Sequence, residues 1–296
     1  MRKKAIGERK FRPAAQEARD AVRTAVETPQ TQSAAYRLAF QDKEFLLRED
    51  LRPVRFQLEL MKPELLLDEG HIISTFVFYG SARIPSPENA QGLIDAATND
   101  RDLRIARNLA KKACYYDEAR ALARIAAQYP PDAAGHHHFV VCSGGGPSIM
   151  EAANRGAADM GAQNIGMNIV LPHEQSPNPY VTPELSFSFH YFALRKMHFL
   201  LRARALAIFP GGFGTFDEFF ELLTLVQTGK MKPIPILLFG RNFWNSVVDF
   251  EALVEEGVIS AEDLNLITWV ETADEAWAAV EAFYVDVPGQ DAGPEK

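Results

Sequence analysis

The chain has 296 residues, a formal net charge of -8 and two cysteines. The acidic balance argues against a protein that coats nucleic acid or an anionic membrane surface. The sequence contains no run of about 18 apolar residues, so it does not indicate a membrane-spanning helix. The first residues carry charge without the apolar segment of a secretion signal. Because the cysteines form neither a Cys-x-x-Cys pair nor a zinc-ligand set, we expect them to be reduced in a cytoplasmic protein.

The first 70 residues are charged, helix-forming and interrupted by prolines. This composition predicts an N-terminal extension of short helices over residues 1–70. Its apolar clusters are too few for a core of its own, so we expect it to dock on another surface or to build a dimer.

From residue 71 onward, short apolar segments alternate with helical patterns. The predicted strands are residues 71–79, 138–142, 164–171, 186–190, 205–209, 234–239 and 266–270. The predicted helices cover residues 102–129, 191–204, 216–230, 244–256 and 273–284, with a further helix that opens at Pro147. This alternation predicts an α/β fold, a Rossmann-like doubly wound parallel sheet with helices on both faces. The sheet domain is expected over residues 71–286, followed by a flexible tail over residues 287–296.

Three loops of small residues follow predicted strands: Gly80-Ser81, residues 143–146 and residues 211–215. Ligands of open parallel sheets bind beyond the carboxyl ends of the strands, so the three loops are predicted to lie on one rim. Together they form a nucleotide-sized cleft.

The loop at residues 211–215 joins a predicted strand to a predicted helix. Gly211, Gly212 and Gly214 leave the backbone open to a ligand, and Thr215 is expected to cap the helix. Free N–H groups and the helix dipole then favour a phosphate, although a tight turn before a capped helix is the simpler alternative.

Neither glycine loop has a nucleotide-binding signature of the common kinds. No Gly-Lys-Ser/Thr follows the glycines, and neither loop reads Gly-x-Gly-x-x-Gly. This disfavours nucleoside triphosphate hydrolysis and dinucleotide redox chemistry. For residues 144–146, close packing of helix on strand is the alternative to ligand binding.

Glu218 is one turn into the helix that follows residues 211–215, roughly 5 Å along its axis. That distance is about one ribose from a phosphate at the helix start, where a carboxylate can face a positive charge that develops on the sugar. Glu218 and Glu221 are expected to share a helix face, whereas Asp217 is expected to point elsewhere and to complement the helix dipole.

Arg195 and Lys196 lie on the helix that leads into the strand before the glycine loop. Arginine keeps its charge, so Arg195 is expected to act electrostatically rather than as a proton donor. A solvated basic face is the alternative. The run of histidines at residues 136–138 is interpreted as a loop tip rather than a metal site, because adjacent side chains diverge and the sequence indicates no partnering carboxylate.

Residues 210–218 read Pro-Gly-Gly-Phe-Gly-Thr-Phe-Asp-Glu, which matches the PGGxGTxxE signature of the Lonely Guy (LOG) family. Arg195-Lys196 falls where that family has an Arg-Lys pair, and residues 143–156 resemble its glycine loop and helix. The resemblance covers residues 71–285. Three departures are Ser148, Ala82-Arg83 and the long N-terminal segment, which make the chain more similar to the longer bacterial branch than to the plant type.

The resemblance implies a homodimer or higher homo-oligomer that hydrolyses nucleoside 5′-monophosphates to a free base and ribose 5-phosphate, with no cofactor or metal. Plant members release cytokinins, and many bacterial members act on nucleotides such as AMP. It further implies that Arg195 and Glu218 are the catalytic pair and that residues 211–215 bind the phosphate. The other implied or expected substrate-binding residues are Ser81, Gly145, Gly146, Glu174, Lys196 and Glu221.

Two alternatives use the same residues differently. A non-catalytic carrier of a phosphate-bearing nucleotide or cofactor needs the glycine loops but not Glu218. A structural or assembly role centred on residues 1–70 needs neither.

Overall fold

The computed structural model describes residues 11–24, 26–171 and 176–285. The chain divides into two compact units, Met1–Leu58 and Glu59–Lys296. The predicted tail at residues 287–296 lies outside the described residues, and the domain boundaries at residues 70 and 286 stay predictions.

Short helices make up the described part of the first unit. They are α1 (Ala14–Thr24), α2 (Pro29–Gln32), α3 (Lys43–Leu46) and the start of α4 (Arg52–Glu69). Proline at the first position of α2 and the Thr28 side chain before it start that helix, and the Asp42 carboxylate caps α3. The prediction of an N-terminal helical extension is confirmed.

A seven-stranded sheet organises the second unit. Its strands are β1 (Thr75–Tyr79), β2 (Val140–Ser143), β3 (Ile165–Ile169), β4 (Ser186–Phe189), β5 (Ala203–Ile208), β6 (Ile236–Phe239) and β7 (Thr268–Val270). Their order is β4-β3-β2-β1-β5-β6-β7, and every neighbouring pair is parallel. The predicted doubly wound parallel sheet is therefore confirmed, with the direction of winding reversed beside β1.

Helices cover both faces of this sheet. They are α5 (Pro87–Asp95), α6 (Asp100–Ala110), α7 (Cys114–Ala126), α8 (Ile149–Asp159), α9 (Phe192–Leu201), α10 (Phe213–Gln227), α11 (Arg241–Val247), α12 (Phe250–Glu255) and α13 (Ala273–Val285). Val77 and Tyr79 of β1 belong to one buried apolar cluster with residues of α9 and α10. Phe76 and Phe78 belong to the other, with residues of α7, α8 and α13. Alternate strand residues thus build two separate cores.

Several predicted helices start, end or divide differently in the structure, and the backbone explains three of these differences. The predicted helix 102–129 is two helices, because tight i to i−3 backbone bonds at Lys112 and Ala113 end α6 before α7 begins. The predicted helix 244–256 is also two, since Val248 is extended and the Asp249 carboxylate caps α12. The helix predicted to open at Pro147 begins two residues later, after Ser148 at a φ of 66°.

The second half of α4 contributes to the sheet unit. Leu67 is 1% exposed and belongs to the same apolar cluster as Val77. The Arg202 Nη2 atom donates to Glu64 Oε2 at 2.9 Å and to Asp68 Oδ1 at 2.7 Å. Arg202 follows α9, so these ionic contacts join α4 to the end of α9, and Leu67 shares its apolar cluster with Phe199 of α9. No helix in the described part of the chain is long and apolar enough to cross a membrane.

Two truncated chains test whether the sheet unit begins after Leu58, as in the structure, or after residue 70, as the sequence predicts. We expect a chain that starts at Glu59 to unfold cooperatively, because Leu67, Glu64 and Asp68 remain. A chain that starts at His71 lacks the fully buried Leu67 side chain, and the loss of a buried leucine side chain typically destabilises a protein by about 2–5 kcal/mol. Urea unfolding followed by circular dichroism measures both. Equal stability of the two truncations would contradict this assignment of α4.

Candidate active site

Three loops of small residues meet at the carboxyl edge of the sheet, where β1 lies between β2 and β5. The Ser81 N–H donates to the Pro210 carbonyl at 3.1 Å, and the Ile149 N–H donates to the Ser81 carbonyl at 3.4 Å. The Ser81 Oγ atom accepts from the Arg83 N–H at 3.0 Å. The Gly80-Ser81 loop therefore connects the loop that precedes α10 with the start of α8.

The glycine loop before α10 is open at two of its three glycines. Nothing lies within 4 Å of where a side chain would start at Gly212 or Gly214, whereas a Cβ on Gly211 would lie 2.1 Å from Thr215 Oγ1. Gly212, not Thr215, is the N-cap, and no side chain caps the helix. The prediction that Thr215 caps the helix is wrong, because the helix begins at Phe213 and buries Thr215 in its first turn.

A buried ion pair joins α9 to α10 beside this loop. The Arg195 Nη1 atom donates to Glu218 Oε1 at 3.0 Å, and the side chains are 11% and 14% exposed. Arg195 also donates from Nε to the Met167 carbonyl at 2.7 Å, and its guanidinium lies 4.9 Å from the ring centre of Phe199. These contacts fix the guanidinium in one place, so Arg195 does not lie on a solvated basic face.

Burial raises the pKa of Glu218 to about 7. The charge of Arg195 opposes that rise, and the Asp217 carboxylate adds to it. A carboxyl group with a pKa near neutrality exchanges a proton readily, which is a property of acid–base groups in active sites.

Lys196 is neutralised by two carboxylates on the next helix. Its Nζ atom lies 3.1 Å from Asp217 Oδ1 and 2.9 Å from Glu221 Oε2. Asp217 and Glu221 are one turn apart at i, i+4, so they converge on this lysine while Glu218 pairs with Arg195. The prediction that Asp217 points away from the other carboxylates is therefore wrong.

The glycine loop after β2 packs closely. The Gly145 N–H donates to Ser143 Oγ at 3.0 Å, so this amide is already engaged. Gly145 has a φ of +70°, and a Cβ there would lie 2.7 Å from the Asn168 amide. A Cβ on Gly146 would lie 2.8 Å from Met150 Cε. Close packing, the alternative given for this loop, accounts for these two glycines.

The sequence argument missed Tyr79, the last residue of β1. Its ring meets Phe199 edge-on at 5.2 Å, and burial together with the Glu218 charge raises the Tyr79 pKa well above the ordinary value of 10.0. Its position at the carboxyl end of a strand was the available signal. Glu174, another predicted site residue, lies outside the described residues.

The histidines at residues 136–138 have a carboxylate that the sequence did not indicate. Asp132 Oδ2 lies 3.0 Å from His136 Nδ1 and 3.5 Å from His138 Nε2. Within the described ranges, no group of three or more histidine, cysteine, aspartate or glutamate side chains is arranged to hold a metal ion.

Part of the chain that contains this site is similar to known proteins. The family model described as "Possible lysine decarboxylase" matches residues 150–280, which include Arg195 and Glu218. "Probable cytokinin riboside 5'-monophosphate phosphoribohydrolase LOG4" of Oryza sativa subsp. japonica is 28% identical over 135 residues, 45% of this chain and 57% of that protein. The LOG4 protein of Arabidopsis thaliana is 28% identical over 144 residues, 47% of this chain and 65% of its own length. Nearly half of the chain is therefore similar to proteins of the LOG family.

The similarity to these LOG proteins is partial, since the aligned segments span 57% and 65% of the relatives' lengths. Among solved structures, the Moco carrier protein from Chlamydomonas reinhardtii matches 72% of this chain and 99% of its own, with 18% identity and a TM-score of 0.43.

Glu218 links stability to pH. Its folded-state pKa of about 7 exceeds the ordinary value of 4.5, so the folded protein holds a proton that the unfolded chain has lost. The resulting stabilisation is fully present below about pH 4.5 and is lost as the pH rises through 7. We expect wild-type protein to lose stability relative to Glu218→Gln over this range. Urea unfolding between about pH 4.5 and about pH 8 measures the difference, and a constant difference would contradict the raised pKa.

Proposed function

We propose that this protein hydrolyses the N-glycosidic bond of nucleoside 5′-monophosphates and releases a free base and ribose 5-phosphate. The observation that carries the proposal is the buried Glu218 carboxyl group, which is paired with Arg195 at 3.0 Å, has a pKa of about 7 and lies in the second turn of a helix whose N-terminus is open. The LOG proteins that resemble the chain are named as cytokinin riboside 5'-monophosphate phosphoribohydrolases, which supports the same reaction class.

The phosphate is placed at the start of α10, on the backbone of residues 211–215. Gly212 and Gly214 leave space there, and Gly212, as the N-cap, has no side chain with which to bond the first-turn N–H groups. These donors and the positive end of the helix dipole suit a phosphate dianion.

The reaction places a positive charge on the sugar. As the bond from C1′ to the base nitrogen breaks, its electron pair leaves with the base, and the Glu218 carboxylate stabilises the oxocarbenium-like ribose. Glu218 also orients a water molecule, whose oxygen bonds to C1′ and whose proton passes to the carboxylate. That proton then goes to solvent, and the departing base takes a proton from solvent. Arg195 holds the carboxylate and supplies charge, but no proton.

The other predicted residues have supporting parts in this proposal. Lys196 and Glu221 fix the helix face around Glu218, and Ser81 lies against the phosphate loop. Glu174, Gly145 and Gly146 are proposed as substrate-binding residues on the family resemblance alone. The same resemblance supports AMP or a cytokinin riboside monophosphate as substrate, a homodimer or higher homo-oligomer, and a cytoplasmic location.

Replacing Glu218 tests the mechanism. Glu218→Gln is expected to lower the release of adenine from AMP by about 100-fold to 10,000-fold, the range for losing an acid–base group, and to preserve AMP binding. Chromatography of the free base measures turnover, and calorimetry measures binding. Glu255→Gln, at an exposed position of α12, is the matched control. Near wild-type release by Glu218→Gln would remove the mechanism, and saturable binding without product from any common monophosphate would favour the carrier alternative.

The pH profile tests which form of Glu218 is active. If the carboxylate acts, kcat/KM rises with pH and levels off above an apparent pKa of about 7. Initial rates of adenine release from AMP across this range measure the profile. A rate that instead falls through pH 7 would assign Glu218 as a general acid toward the base.

A further inference from the structure

A buried polar network lies beneath the glycine loop that ends β2. Its members are Ser143, Asn154, Asn164 and Asn178, and each is less than a tenth exposed. They join four parts of the chain: the end of β2, α8, the residue before β3, and the connection between β3 and β4 that contains Asn178. Polar groups that are buried in this way rigidify a structure when all of them are hydrogen-bonded.

Asn154 is the centre of the network. Its Oδ1 atom accepts from Ser143 Oγ at 2.7 Å and from Asn178 Nδ2 at 2.9 Å. Its Nδ2 atom donates to Asn164 Oδ1 at 2.9 Å and to the Ile165 carbonyl at 3.2 Å. All four hydrogen-bonding positions of the Asn154 amide are therefore occupied.

Asn178 ties the glycine loop to this centre. Its backbone N–H donates to the Gly145 carbonyl at 2.8 Å, and its Nδ2 atom donates to the Gly146 carbonyl at 3.0 Å. Its Oδ1 atom accepts from the Tyr180 N–H at 3.2 Å. Since Ser143 Oγ accepts from the Gly145 N–H, the loop is held at three backbone groups.

The loop in turn limits the position of Arg195. A Cβ on Gly144 would lie 2.7 Å from Arg195 Nη2, so the guanidinium packs directly on the loop backbone. On β3, the Met167 carbonyl accepts from Arg195 Nε. The guanidinium thus lies between the loop and β3, and a shift of the loop changes how Arg195 meets Glu218.

We propose that Asn178 is a positioning residue for the catalytic pair: through the glycine loop it sets the Arg195 guanidinium against the Glu218 carboxylate. The inference rests on the proposed function for its kinetic consequence. The position of the Arg195 guanidinium against the Glu218 carboxylate does not depend on that function, because the two groups are hydrogen-bonded in the structure.

A shift of Arg195 has a measurable electrostatic effect. The charged and titratable groups near Glu218 are Arg195 and Lys196 on α9, Tyr79 on β1, Cys142 on β2, and Asp217 and Glu221 on its own helix. Burial raises the pKa of Tyr79 and of Cys142, so both stay neutral near pH 7. Arg195 is the cation hydrogen-bonded to Glu218, and its withdrawal raises the Glu218 pKa further.

Two variants test the proposal. Asn178→Asp keeps the size of the side chain but places a carboxylate oxygen against the Gly146 carbonyl and Asn154 Oδ1. Ser143→Ala removes the acceptor of the Gly145 N–H, and it provides the answer if Asn178→Asp does not fold. We expect kcat for AMP to fall about tenfold to a hundredfold, the loss typical of a misplacement of about 1 Å, and the acidic limb of the pH profile to move to higher pH. Asn108→Asp, exposed on α6, is the control for the added charge.

A direct titration separates this proposal from the proposed function. The Glu218 carboxyl carbon is followed by NMR in protein labelled on glutamate, and Glu218→Gln assigns its signal. We expect the Glu218 pKa to rise in both folded variants and to stay unchanged in Asn108→Asp. An unchanged titration in a folded variant overturns the positioning role. A raised pKa in a protein that cleaves no nucleotide supports that role and rejects the N-glycosidase assignment.

Discussion

The ion pair between Arg195 and Glu218 is the interaction on which the site depends. Moving two charges out of water opposes folding, and a hydrogen bond of 3.0 Å recovers only part of that free energy. Arg195 offsets more of it through the Met167 carbonyl and the Phe199 ring. Among the described residues Glu218 has no comparable set of partners, and burial of its carboxyl group raises its pKa. The buried pair therefore leaves the pKa of the Glu218 carboxyl group near neutrality rather than stabilising the fold.

The sheet explains why these groups meet. With β1 between β2 and β5, the loops that follow all three strands come to one edge, and the chain reverses its direction of winding there. The helix that enters β5 carries Arg195, and the helix that leaves it carries Glu218. A single strand–loop–helix unit and the helix before it thus supply the backbone that we propose binds the phosphate, the cation and the carboxylate.

The sequence predicted the features that depend on local spacing, and it missed features that depend on contacts in the folded chain. The strands and the turn from β5 into α10 follow from local spacing and are confirmed, and the same spacing placed Glu218 on α10. The break between α6 and α7, and the convergence of Asp217 on Lys196, depend on contacts that spacing alone does not show. Asn154 and Asn178 are 24 positions apart, and no local pattern distinguishes them from surface asparagines. A buried polar network is therefore invisible until its members are placed in space.

Helix α9 is also held by contacts with α4. The Glu59 carboxylate accepts from the His190 and Tyr191 N–H groups at 2.9 and 3.2 Å, next to the first turn of α9, and the His198 ring lies 3.1 Å from the Glu59 carbonyl. Arg202, just past the last turn, binds Glu64 and Asp68. Both ends of the helix are thus attached to α4, while the guanidinium in its middle is confined by the glycine loop. The position of Arg195 is consequently fixed by two independent sets of contacts, and one of them comes from a helix that precedes the sheet.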